Sequence, residues 1–167
     1  MTKIIIGVMG AGERATSEDL KSAYLLGQAI ADNNWVLLTG GRNVGVMHAA
    51  SRGAKTRNGL VLGILPGSDK TDMSEAVDIT IVTDLGSARN NINVLSADVI
   101  IACGIGLGSA SEIALALKNS KPVILLQPKK LTYSFFASLS DRLLFAAETV
   151  DQAIALISEI LATSEHT

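Results

Sequence analysis

Nine of the fifteen glycines in this 167-residue chain fall in three short stretches: Gly7, Gly10 and Gly12; Gly40, Gly41 and Gly45; Gly104, Gly106 and Gly108. Each stretch sits at or just beyond an apolar run of strand character and is followed by a helical pattern. Glycine at such a turn permits positive φ and lets backbone approach a ligand closely. The helix that follows offers unpaired N–H groups at the positive end of its dipole, a combination suited to phosphate. A sharp strand-to-helix turn calls for glycine in any case, so one stretch alone carries little. Three stretches converging on one sheet edge predict a ligand site.

Two charged residues stand near these turns. Arg89 follows Gly86 and Ser87 and falls in the first turn of a helix, where a cation opposes the dipole by about 0.3 to 1 kcal/mol. An anionic ligand would reverse that penalty, and pairing with Asp84 or Asp98 is the plainer alternative. Glu112 lies three residues after Ser109, the spacing of a capping box, so it serves the helix start, the site or both. Cys103 reads as a small buried hydrophobe, and His48 has no nucleophile at a recognisable spacing. Met47 and Trp35 read first as core residues. The glycines lack the GK[ST] continuation of a Walker loop. The second strand ends Thr39-Gly40-Gly41 rather than in the acidic residue that would hold an NAD ribose.

The elements that must position these groups alternate. Strands are predicted over Ile4–Met9, Trp35–Leu38, Leu60–Leu65, Ile79–Val82, Val99–Ala102 and Val123–Leu126. Helices are predicted over Ser17–Asp32, Val44–Lys55, Ala88–Leu95, Ser109–Lys118, Tyr133–Leu139 and Val150–Leu161. Thr16 with Asp19, Ser109 with Glu112, and Thr149 with Gln152 have capping-box spacing at three of the starts. Such alternation predicts an α/β fold: a doubly wound, mostly parallel sheet of about six to seven strands, helices on both faces, and a crevice at the carboxyl ends of the strands. The length predicts a single domain over residues 1–167.

Composition narrows the class. With 48% hydrophobic and 18% charged residues the chain is apolar, as expected of a sheet buried on both faces. The best candidate for a membrane span, Val99–Leu117, contains three glycines, two serines and Glu112, which argues against it. Glu13 and Arg14 interrupt the N-terminal apolar run before it could act as a signal peptide. A single cysteine then points to the cytoplasm. A net charge of −2 offers no basic excess for a nucleic-acid backbone.

Three segments carry a family resemblance: Gly40-Gly41-Arg42-Asn43-Val44-Gly45-Val46-Met47, Arg89-Asn90, and Gly104 to Glu112. Together they resemble the motifs of the LOG and molybdenum-cofactor carrier superfamily, over most of the chain. The LOG pattern PGGxGTxxE has Gly104 in place of its proline, Ile105 in place of its first glycine and Ser109 in place of its threonine, and Asn90 stands where lysine follows the arginine. Ser111 to Leu117 is closer to the carrier branch.

The resemblance implies a Rossmann-like protein that holds molybdenum cofactor (molybdopterin) or a related phosphate-bearing small molecule, without chemistry and without NAD or pyridoxal phosphate. It implies ligand contacts from Gly10 and Gly12, from Gly40, Gly41, Asn43, Gly45 and Met47, from Arg89 and Asn90, and from Gly106, Gly108, Ser109 and Glu112. It also implies a homodimer or homotetramer, and a molybdoenzyme or cofactor-synthesis protein as partner; high apolar content with few aromatics independently predicts that helix faces such as Ala114–Leu117 exceed what one monomer's core covers. The alternative is a LOG-type nucleoside 5′-monophosphate phosphoribohydrolase. In that reading Arg89 and Glu112 are catalytic, stabilising an oxocarbenium-like state.

Overall fold

The structure, a computed structural model, describes residues 2–140 and 142–164. Seven strands form one sheet: β1 (Ile5–Gly10), β2 (Val36–Thr39), β3 (Val61–Leu65), β4 (Ile79–Val82), β5 (Val99–Cys103), β6 (Val123–Leu126) and β7 (Leu144–Ala147). Six α-helices connect or follow them: α1 (Ser17–Asp32), α2 (Gly45–Lys55), α3 (Arg89–Leu95), α4 (Leu107–Lys118), α5 (Lys130–Ala137) and α6 (Val150–Ser164). The spatial order is β4-β3-β2-β1-β5-β6-β7 and every pairing is parallel, as the alternation predicts. The chain therefore winds outward from β1 in one direction, then starts again at β5 in the other. That leaves a switch point between β1 and β5, the place where open α/β sheets bind ligands.

Successive strand side chains point to opposite faces, and both faces are covered. Ile6, Val8 and Ile101 pack with Leu26 and Ile30 of α1, Ala50 and Ala54 of α2, and Ile157 of α6. On the other face Met9, Leu38, Ile64 and Ile100 pack with Val94 of α3, Ile113 and Ala116 of α4, and Phe136 of α5. No described helix is long and apolar enough to cross a membrane.

Several local expectations change. β7 lies outside the six named runs, because Leu144–Ala147 is four residues long with no β-branched side chain. The capping box at Thr16 forms as expected, with Asp19 N–H donating to Thr16 Oγ1 at 3.1 Å and Thr16 N–H to Asp19 Oδ2 at 2.9 Å. The one expected at Ser109 does not. Helix α4 begins two residues earlier, at Leu107, so Ser109 is its third residue and accepts from the Gly106 N–H at 2.8 Å. Glu112 is thereby released from capping. At α6, Gln152 N–H donates to Thr149 Oγ1 at 3.2 Å, but the Gln152 side chain accepts from Glu148 N–H rather than that of Thr149. The Ala114–Leu117 face expected at an interface belongs largely to the monomer: Ala116 is fully buried, and Leu115 and Leu117 pack against the second core cluster.

Candidate functional site

The three glycine turns are stitched together at the switch point. Ala11 N–H donates to the Gly104 carbonyl at 3.0 Å, and Val46 N–H donates to the Ala11 carbonyl at 3.0 Å. The β1 turn thus lies hydrogen-bonded between the β5 turn and the start of α2. Gly10 is opposite Cys103 in the β1–β5 register, and a Cβ on Gly10 would strike the Cys103 carbonyl and, at 2.5 Å, Val46 Cγ1. Only a residue without a side chain permits that approach.

Around these turns opens a cleft of about 710 Å³. Gly10 and Gly12, Gly40 and Met47, Arg89 and Asn90, and Gly106, Gly108, Ser109 and Glu112 all line it. Met47, first read as a core residue, is one of these lining residues. Gly41, Asn43 and Gly45 do not line it, contrary to expectation. Gly41 (φ +74°) packs against Gly63 of β3, and Gly45 (φ +54°) packs on the carbonyls of Ala11 and Gly12. Asn43 turns outward to a separate pocket of about 160 Å³ with Arg42, Thr71 and Asp72, its N–H bonded to the Asp72 carbonyl at 2.7 Å. These three residues shape the turn rather than the cleft. A groove of about 780 Å³ between α1 and the start of α6 is larger, but it contains neither a glycine turn nor Arg89 or Glu112.

Arg89 pairs with neither Asp84 nor Asp98; Asp98 instead accepts from Ile5 N–H at 2.8 Å. Its guanidinium is buried at the ends of β2 and β3, where Nη1 donates to the Gly40 carbonyl at 2.5 Å and to the Ile64 carbonyl. Nε is buried without a partner. Burial pulls the Arg89 pKa down, the Glu112 carboxylate pushes it up, and Arg42 pulls it down again. An arginine stays charged through such shifts, so Arg89 fixes a positive charge in the cleft wall.

Glu112 is 7% exposed. Burial raises its pKa, whereas a hydrogen bond from Asn93 and the charge of Arg89 lower it. Asn90 braces the neighbouring turn: its Nδ2 donates to Ser111 Oγ at 2.8 Å, and Ser111 Oγ donates to the Gly108 carbonyl at 2.7 Å.

The N-cap of helix α4 is Gly106, which has no side chain to cap the first turn. The first-turn N–H groups of Leu107, Gly108 and Ser109 therefore lack intrahelical partners, and all three residues line the cleft. This is the anion-suited corner of the site. The start of α2 offers less than expected, because Val46 N–H is taken by Ala11.

Sequence reading missed Arg14 and Arg42, both on the cleft wall, although Arg42 belongs to one glycine turn and Arg14 lies two residues beyond another. It also missed Asn93, for which a polar residue inside a short helix gave no signal. His48 and Cys103 stay outside the cleft. His48 Nδ1 lies 2.8 Å from the buried Ser74 Oγ, and Cys103 is 2% exposed within the first core cluster.

A family model for the SLOG cluster4 family matches residues 3–154. The chain belongs to the SLOG cluster4 family. Among solved structures, this SLOG cluster4 protein is 61% identical to the molybdenum cofactor binding protein of Rippkaea orientalis, with a TM-score of 0.95 over 96% of this chain and 99% of that one. It is 50% identical to the molybdenum cofactor carrier protein of Chlamydomonas reinhardtii, with a TM-score of 0.92 over 96% and 99% of the two chains. A cytokinin riboside 5′-monophosphate phosphoribohydrolase of Mycobacterium tuberculosis is 28% identical over 131 residues, 74% of this chain and 70% of that enzyme. The family resemblance read from the motifs is thus borne out.

Proposed function

We infer that this chain binds molybdenum cofactor in the glycine-walled cleft and carries it without chemical change. The observation that carries the reading is near-complete coverage at 61% identity by a molybdenum cofactor binding protein. The cleft supports it independently. The open first turn of α4 and the side chains of Arg14 and Arg42 suit the phosphate or molybdate oxygens, while Arg89 supplies fixed positive charge from the wall. Because Arg89 Nη1 is held by two carbonyls and Asn90 by Ser111, these two residues keep the cleft in shape rather than reaching out to a ligand. A pre-shaped cleft favours affinity and slow release, the properties a carrier needs.

In this reading the whole chain acts as one cytoplasmic ligand-binding unit, assembled as a homodimer or homotetramer that hands its cargo to a molybdoenzyme or a cofactor-synthesis protein. Large apolar side chains at the surface, among them Leu107 at 95% and Leu131 at 83% exposure, are consistent with such contacts.

The test is retention. Purified protein mixed with molybdenum cofactor at micromolar concentration should keep pterin fluorescence through gel filtration. Incubation with AMP or a cytokinin nucleotide should release no free base. Loss of the fluorescence would overturn the carrier reading, and base release that disappears in Glu112→Gln would establish the hydrolase in its place.

A further inference from the structure

Asn93, on α3, is 0% exposed and takes no part in lining the cleft. Its Nδ2 donates to Glu112 Oε1 at 2.7 Å, while its Oδ1 is buried without any partner. A buried amide that gives up its acceptor in this way is held in place for its donor. Asn90 and Asn93 are three residues apart and so share a helix face, and they reach consecutive residues of α4, Ser111 and Glu112. Of these bonds, the one to Glu112 ends on a carboxyl that lines the cleft.

We propose that Asn93 is a positioning residue that pins the Glu112 carboxyl in the cleft wall and sets the pH at which retention of an anion responds to the proton on that carboxyl. The proposal rests on reading the cleft as an anion-holding site. An ionised Glu112 repels a phosphate-like group beside it; a protonated one does not, and can donate to it. Anion binding therefore draws a proton from solvent onto Glu112, and affinity rises as pH falls through that titration. The hydrogen bond from Asn93 favours the ionised form, with Arg89 of α3 acting in the same sense and burial opposing both. The other charged groups on the cleft wall are Glu13 and Arg14 of the β1 turn and Arg42 of the β2 turn. All of them remain in the variants below.

The experiment uses the full chain labelled with ¹³C-glutamate and follows the Glu112 carboxyl carbon against pH in the wild type, Asn93→Leu and Asn93→Ser. Sulfate, which keeps its charge over this range, is titrated into each protein and into Glu112→Gln, and binding is read from the amide shifts of the first turn of α4. Both Asn93 variants should shift the Glu112 midpoint upward, and the pH at which sulfate affinity rises should move with it. Glu112→Gln should show no such rise. Should Asn93→Leu not fold, Asn93→Ser carries the comparison. A Glu112 midpoint that stays put when Asn93 is changed overturns the proposal, as does sulfate affinity that is absent or flat with pH in the wild type. Failure to retain molybdenum cofactor, with the sulfate response intact, overturns the carrier reading and leaves this proposal standing.

Discussion

The guanidinium of Arg89 lies so close to Gly40 that a Cβ on that glycine would meet Nη1 and, at 2.7 Å, Met47 Sδ. The same Nη1 holds the Gly40 carbonyl. Gly40 therefore serves the site by making room for a cation at a strand end.

Gly40→Ala should displace Arg89 before it disrupts the sheet, because the obstacle is the tip of a long side chain. A loss of about 1 to 3 kcal/mol in urea denaturation is expected from the lost fit. Cofactor retention should fall by more than that loss of folded protein accounts for. Retention that falls only in step with stability would show that Arg89 placement is irrelevant to the ligand.

Gly10 and Gly108 both line the cleft but should behave differently. A Cβ on Gly10 meets the Cys103 carbonyl, which is strand backbone and cannot move aside, so Gly10→Ala should cost about 3 kcal/mol. A Cβ on Gly108 meets nothing within 4 Å, and stability should change by no more than about 0.5 kcal/mol. Gly108→Ala does place a methyl at the open turn of α4, and weaker cofactor retention with an unchanged denaturation midpoint is the expected pairing.

Glu112 links stability to pH. Burial holds its folded-state pKa above the ordinary value of 4.5, so the folded state favours the neutral form. That contribution is fully present below 4.5 and is lost as pH rises through the raised folded value. Glu112→Gln keeps an acceptor for Asn93 and removes the titration. Denaturation curves for the two proteins should therefore converge in acid and separate as pH rises, with the Gln variant the more stable. Separation of the opposite sign would contradict a carboxyl raised by burial.

Cys103 should be chemically silent in the native protein. Burial, with the Asp19 carboxylate adding to it, pushes its thiol up to about 12, and the residue is 2% exposed. Alkylation by iodoacetamide at pH 8 should be at least about 100-fold slower in the folded chain than in urea. Comparable rates would mean that β5 opens readily at its carboxyl end.

By itself, the order of apolar runs and helical patterns determined the parallel α/β sheet, because strand and helix periods are local properties. The glycine turns were legible for the same reason: Gly10 and Gly40 stand where strands end and Gly106 where the following helix starts, and the strand ends of such a sheet are where ligands bind. Residue type and position likewise singled out Arg89, a cation in the first turn of a helix, and Glu112, the charged member of a segment otherwise apolar or small. Direction and partnership were not legible. Arg89 could have pointed outward to Asp84 or Asp98; it points inward because two strand-end carbonyls, 25 and 49 residues away in sequence, need a donor at the same point. The start of α4 moved by two residues, and that shift freed Glu112 from the helix cap to face Asn93. Gly41, Asn43 and Gly45 sit in the same turn as Gly40, yet packing against β3 and against the β1 turn directs them away from the cleft. Such contacts join segments remote in sequence, so only the packed tertiary structure decided them.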